Sequence, residues 1–394
     1  MVTGQPRDIS KRAMYFVILL GILSLFADMT YEGARSITGP FLALLGATGA
    51  TVGIVAGLGE WIGYALRLFS GYISDRTGKY WTITIFGYVM NLLAVPLLAL
   101  AGRWEVAALL IIAERMGKAF RNPPRDVMLS HATKQIGRGW GFGLHEAMDQ
   151  AGATLGPLLV AAVLYIKADY RVGFGVLLVP ALLAMAVLLA ARFLYPQTQE
   201  FEKSSQKLET VGLQRTFWLY LASVVLIAVG YVDFPLVAYH FSKAAVVPDS
   251  LIPVFYSVAM GVDALAALLF GRLFDRVGMS VIAVSALLSA LFAPLVFLGG
   301  NLSFALAGMI FWGIGMGTQE SIMRAAVAEM VPADRRGTAY GIFNSAYGSF
   351  WFLGSAAMGI LYDISIPSVV AISVVAQLTA IPLIMLAKKR LGPA

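Results

Sequence analysis

The chain has 394 residues, of which 59% are hydrophobic and 13% charged, with a mean hydropathy of +0.78. Soluble domains are about 45–50% apolar and about 25% charged, so too few polar residues are present to cover a water-exposed surface, and lipid is the implied solvent. The absence of Cys excludes disulfides, thiolate chemistry and Cys-based zinc sites, and the formal charge of +7 falls in loops, where it reads as a topology and headgroup signal rather than a nucleic-acid surface.

A bilayer span needs about 20 apolar residues, so twelve spans use roughly 240–300 and leave only short loops. Arg7, Lys11 and Arg12 precede the apolar run 13–27, as in a signal peptide. The run ends at no small-residue cleavage site and continues into Asp28, Glu32 and Arg35, so it is read as the first membrane helix. The predicted spans are helix 1 at 13–41, helix 2 at 49–72, helix 3 at 80–101, helix 4 at 104–132, helix 5 at 140–166 and helix 6 at 171–194. A polar stretch at 195–214 follows, holding Glu200, Glu202, Lys203, Lys207 and Glu209. Helix 7 is predicted at 215–241, helix 8 at 249–272, helix 9 at 279–299, helix 10 at 302–331, helix 11 at 338–362 and helix 12 at 367–387. The expected organisation is a bundle at 1–194, a cytoplasmic linker at 195–214 and a second bundle at 215–394.

Lys and Arg gather in the loops of one side, including Arg76, Lys79, Lys134, Arg138, Arg192, Arg272, Arg276, Arg335 and Arg336. The other side receives Arg103, Lys167, Arg171 and Lys243. Both termini are therefore expected in the cytoplasm.

The loops also repeat. Gly71, Asp75, Arg76 and Gly78 after helix 2 recur as Gly271, Asp275, Arg276 and Gly278 after helix 8. Arg138-Gly139 opens helix 5, and Arg336-Gly337 opens helix 11. Two halves with the same inside features are parallel repeats about an axis along the membrane normal.

At these residues the chain resembles the major facilitator superfamily. Gly71, Asp75, Arg76, Gly78 and Lys79 match the family loop G-x-x-x-D-R-x-G-R/K, and Asp275 and Arg276 belong to a degenerate second copy in which Met279 replaces the last basic residue. The resemblance covers essentially the whole chain. It implies an all-α fold of twelve transmembrane helices in two six-helix bundles, with this loop acting as a cytoplasmic gate. Helix 5 carries Gly143, Gly152, Gly156 and Pro157, similar to the G-x8-G-x3-G-P-x2-G signature of family members that export substrate in exchange for protons, although Val160 stands at the last Gly.

Ionisable residues at membrane depth cost at least about 2.5–3.5 kcal/mol each on insertion scales, so they face a cavity or one another. Helix 1 carries Asp28, Glu32 and Arg35 on one face, helix 2 carries Glu60 and Arg67, and helix 4 carries Glu114, Lys118, Arg121 and Arg125 at i, i+4, i+7 and i+11. Helix 5 adds His145, Glu146 and Asp149. Asp28, Glu32, Glu146 and Asp149 are the candidate proton-coupling acids. Glu32, next to Arg35, is expected to be paired, leaving Asp28 or Asp149 to titrate. Candidate substrate contacts are Arg35, Glu60, Arg67, Lys118, Arg121, Arg125, Asp233, His240, Phe311 and Tyr347, with the aromatic second half supplying an apolar wall.

Pro123-Pro124 is expected to break helix 4. A broken helix lined with Arg121, Asn122 and Arg125 suits an anion site or a buried ion-pair network, and the sequence leaves both open. His145 stands one turn before Asp149, within proton-relay distance on a helix. No H-x-x-x-H pair occurs, so no metal or other cofactor is expected. The absence of a nucleotide-binding loop and of a serine-nucleophile elbow argues against ATP-driven transport and hydrolysis. The resulting expectation is a monomeric secondary transporter, and not an enzyme, in the cell inner membrane. It exchanges protons for an exported small organic molecule, with lipid as its other partner. Import of an organic anion with protons is the alternative, and an intramembrane enzyme or a non-transporting receptor the reading from other classes.

Overall fold

The computed structural model describes residues 6–133, 138–196, 215–331 and 336–391, and among them every regular element is helical. Among the described residues, ten helices are long and apolar enough to cross a membrane. Helix 4 (Trp104–Thr133) and helix 11 (Arg336–Ile364) complete twelve. Helix 4 is less apolar because it carries the charge stripe, and helix 11 because it is rich in Gly and Ser.

Several spans are longer or more interrupted than their composition suggested. Helix 1 runs from Pro6 to Leu44, and helix 2 from Gly49 to Thr77. Helix 6 is split into Tyr170–Val176 and Leu178–Leu194. Helix 9 is split into Ser280–Ser289 and Phe292–Leu298.

Helix 7, expected as one rod, is two pieces, Arg215–Gly230 and Phe234–Lys243. Asp233 caps the second piece by accepting from the Phe234 N–H at 2.8 Å, and Pro235 in the first turn has no donor to leave unpaired. The freed Gly230 carbonyl accepts from Ser373 Oγ at 2.6 Å, and the Val232 carbonyl accepts from Trp312 Nε1 at 2.9 Å. Broken backbone survives at membrane depth where protein groups re-satisfy it in this way.

The opposite departure occurs in helix 4, which runs unbroken through Pro123 and Pro124 and so corrects the expected break. Pro124 cannot donate to the Phe120 carbonyl four residues back. Ser70 Oγ donates to that carbonyl instead, at 2.8 Å. Helix 10 contains a π turn, Thr318–Ile322, between Leu302–Gly317 and Met323–Met330. Turns of this type recur at functional positions.

The repeat read from the loops has a backbone counterpart. Gly78 and Gly278 both adopt positive φ, 65° and 64°, and each N–H bonds the carbonyl four residues back at 2.8 Å. Only glycine takes this conformation without strain.

By contact density the chain forms two compact units. The first comprises Met1–Ala34 and Ala65–Gln206, the second Arg35–Tyr64 and Lys207–Ala394. Helices 1 and 2 therefore each contribute to both units, whereas the expected linker beyond Pro196 lies outside the described residues. In the first unit, Phe16, Val17, Leu20 and Leu23 pack with Tyr88, Leu92, Met128 and Leu188 in a buried core. Helices 3 and 4 touch at Gly87 and Gly117, where a Cβ on either would strike the other helix's backbone. In the second unit, Gly354 lies on the backbone of Val229, and Gly313 and Gly317 lie on helix 8.

Candidate functional site

Helix 4 places its cations on one stripe, and the first unit supplies each with a partner. Arg115 Nε is 3.3 Å from Glu114 Oε2, and Glu114 Oε1 accepts from Asn91 Nδ2 on helix 3 at 2.7 Å. Lys118 donates to the Tyr31 hydroxyl, its ammonium 3.7 Å from that ring's centroid. Arg121, only 1% exposed, has Nη2 3.4 Å from Asp28 Oδ1. Its guanidinium carbon lies 4.5 Å from the Tyr88 ring centroid and 5.6 Å from that of Tyr31, a cation held by ring faces as well as by a carboxylate. Arg125 donates through Nε and Nη2 to Asp126 Oδ1 at 3.0 and 2.9 Å, and through Nη1 to Ser24 Oγ at 2.9 Å.

Helix 5 closes the cluster. Ser24 Oγ is 3.1 Å from His145 Nε2, and His145 Nδ1 is 3.5 Å from Asp149 Oδ1 one turn further on. Helix 5 comes this close because its motif glycines lack side chains. A Cβ on Gly152 would overlap the Leu25 carbonyl, and one on Gly156 the Met29 carbonyl. Pro157 and Val160 are buried beside them. Gly143, the first glycine of the motif, meets open space.

The second unit holds a smaller polar group. Arg35 Nη2 is 2.6 Å from Asp233 Oδ1 and 3.5 Å from Glu60 Oε1. Around the break in helix 7 the lining is aromatic: Tyr231 lies within 5.6 Å, centroid to centroid, of Phe292, Trp312 and Trp351. Tyr347 stands 5.7 Å from Tyr64, and its hydroxyl donates to Gln319 Oε1 in the π turn at 3.0 Å.

The sequence-predicted residues thus separate. Asp28, Lys118, Arg121, Arg125 and Asp149 come together in the first unit, where Glu32 is also buried. Arg35, Glu60 and Asp233 come together in the second. Glu146 is exposed, with Gln150 Nε2 at 3.5 Å, and Arg67 is half-buried. His240 Nδ1 pairs with the Tyr362 hydroxyl at 3.0 Å, and Phe311 is half-buried while its neighbour Trp312 is the buried ring. In the two loops expected to gate, Arg76 donates to Tyr72, Gly71 meets Pro123, and Lys79, Asp275 and Arg276 are exposed. The side chain of Asp75 lies outside the described residues.

Tyr31, Tyr88, Asn91, Ser24 and Gln319 are the polar members that the sequence did not single out. Their signal is weak, because a lone hydroxyl or amide in an apolar helix is ordinary until a charge is found beside it. Asp363 was also missed. Its two oxygens accept from the N–H groups of Gly49 and Ala50, at 3.0 and 2.8 Å, capping the start of helix 2 within the second unit.

The sequence matches the family model described as Major Facilitator Superfamily over residues 20–355 and 238–390. An uncharacterized protein of Mycobacterium tuberculosis (strain ATCC 25618 / H37Rv) is 42% identical over 376 residues, 94% of this chain and 92% of its own. The multidrug resistance protein MdtH of Photorhabdus laumondii is 26% identical over 225 residues, 57% of this chain and 54% of its own. Among solved structures, a variant of the nucleoside transporter NupG superposes with a TM-score of 0.76 at 15% identity, covering 94% of this chain and 99% of that one.

Proposed function

The chain belongs to the Major Facilitator Superfamily, and we propose that within it the protein is a secondary transporter that exports a small organic molecule in exchange for protons. It is a multi-pass membrane protein of a transport family. The proposal adds direction, coupling ion, the inner membrane as location and cytoplasmic termini, with the sequence halves working as two six-helix bundles that open alternately.

The observation that carries this reading is the buried charge cluster on helices 1, 4 and 5. Carboxylates and cations this deep in a bilayer mark ion pathways and coupling sites. Asp28 is engaged by Arg121, whereas the ion-pair contact of Asp149 is a histidine at 3.5 Å. Asp149 is therefore the coupling acid, and Asp28 and Glu32 tune its surroundings. Export is supported by the helix 5 glycines, two of which make the helix 1 contact possible, and by likeness to a relative named for multidrug resistance.

The competing anion-import reading needs a basic stripe with cations to spare. The helix 4 cations instead meet Glu114, Tyr31, Asp28, Asp126 and Ser24, which favours a network over an anion site. The carboxylates and aromatic rings of the second unit suit a substrate with a flat or cationic part.

Purified protein in proteoliposomes with an acidic interior should accumulate ethidium, and a protonophore should abolish the accumulation. An uptake rate indifferent to the pH gradient rejects coupling. Accumulation only with the gradient reversed, or of an organic anion such as fluorescein in place of ethidium, supports symport and rejects this reading.

A further inference from the structure

Ser24, His145 and Asp149 form a continuous line across helices 1 and 5. Ser24 and His145 are buried, 0% and 3% exposed, and the line is anchored at one end by Arg125. Arg125 is a donor only, so Ser24 Oγ accepts from Nη1. The serine's own hydroxyl proton is then free to point at His145 Nε2, 3.1 Å away. A neutral imidazole that accepts at Nε2 carries its proton on Nδ1, the nitrogen facing Asp149. Asp126 holds the other edge of Arg125 and fixes the anchor.

We propose that Ser24 and His145 are a proton relay that loads and unloads Asp149, with Arg125 as the positioning residue that sets the starting tautomer. The proposal rests on the proton-coupled reading above and names the path by which the coupling proton reaches its acid. During loading, Ser24 Oγ takes a proton from hydronium, which is left as water, as its own O–H bond breaks and that proton forms a bond to Nε2. The Nδ1–H bond breaks, and its proton forms an O–H bond on Asp149. The ring ends neutral with its tautomer inverted: Nε2–H now donates to Ser24, and the Nδ1 lone pair accepts from the Asp149 carboxylic acid. One positive charge has been added, all of it at Asp149, and the same bonds run backward on release. The Nδ1–Oδ1 contact is 3.5 Å and Asp149 Oδ1 has no hydrogen-bond partner among the described residues, so transfer takes place when the carboxylate closes that gap.

The charged and titratable groups around Asp149 are Asp28 and Tyr31 from helix 1, Arg121 and Arg125 from helix 4, and Glu146 from its own helix. His145 faces Arg121 and Arg125.

The chain has three histidines, so ring 15N NMR of histidine-labelled protein in lipid nanodiscs gives three ring systems, and His145→Gln assigns the one concerned. The wild-type ring is expected to be protonated at Nδ1 in alkali. It should switch to Nε2 as the pH is lowered far enough to protonate Asp149. Asp149→Asn should remove the switch. Ser24→Ala should leave a mixture of tautomers in alkali, and Ser24→Thr, which keeps the hydroxyl, should restore the single form. A wild-type ring that holds one tautomer throughout, or a switch that persists in Asp149→Asn, overturns the relay. Switching that persists while ethidium transport ignores the pH gradient counts against coupled transport and not against the relay, so the two failures are distinguishable.

Discussion

Helices 1, 4 and 5 of the first unit and helices 7, 8 and 10 of the second face one problem, polar groups in a lipid-immersed protein, and treat it differently. In the first unit the polar groups are side-chain charges. Arg121 is gripped by Asp28 and by two tyrosine rings, and Arg125 by Asp126 and Ser24. In the second unit, beside the Arg35–Asp233–Glu60 group, backbone polarity is freed where helix 7 breaks. It is answered by single donors such as Trp312 Nε1 and Ser373 Oγ, inside a shell of aromatic rings. Charges can be moved by adding or removing a proton, whereas a helix break sealed by rings offers shape and a dry surface. On the proposed function, ion chemistry falls to one unit and the apolar face of substrate recognition to the other.

The comparison breaks most sharply at Arg121. Arg121→Ala leaves Asp28 buried without its counter-charge, and removing one member of a buried pair costs about 3–5 kcal/mol. Thermal unfolding in detergent should show the largest fall in midpoint of any change suggested here. Asp28→Asn combined with Arg121→Gln should recover most of the loss in a double-mutant cycle, which it would not do if Arg121 served packing alone.

Next in size is the contact between helices 5 and 1. Gly152→Val or Gly156→Val drives a side chain into the helix 1 backbone and should cost about 1–3 kcal/mol or more. Gly143→Val, at a position with open space around it, should be close to neutral for stability. Equal losses at all three positions would show that the motif acts through backbone freedom rather than through close approach.

In the second unit, Trp312→Phe keeps a ring but leaves the Val232 carbonyl without its donor, a loss of about 1–3 kcal/mol. Stability measured alongside Trp312→Ala would separate the hydrogen bond from the packing. The smallest effect is expected from Ser70→Ala, which orphans the Phe120 carbonyl below Pro124. Side-chain hydrogen bonds in membranes average about 0.6 kcal/mol, so the change should be barely resolved by thermal midpoint yet visible as faster amide exchange near Phe120.

Much of this molecule is written in its composition. The apolar runs, the basic loops and the paired Gly-Asp-Arg-Gly turns follow from periods and spacings that need no partner, because lipid imposes the helix on any long apolar run. Gly78 and Gly278 take the same positive φ because each ends a helix where only glycine fits without strain. The charge stripe of helix 4 and the acids of helix 1 were equally legible, since an ionised side chain in an apolar run stands out locally.

What tertiary structure alone decided is which of these charges meet. Arg35 and Asp28 share a face of helix 1, yet Arg35 pairs with Asp233 and Glu60 while Asp28 pairs with Arg121. Pro123-Pro124 did not break a helix because a serine from another helix replaced the missing donor, and helix 7 broke because partners on helices 10 and 12 take up its carbonyls. A hydrogen bond between residues separated by fifty or a hundred positions leaves no mark in local sequence, and in lipid those distant bonds determine whether a helix continues, where a charge rests and which histidine nitrogen holds a proton.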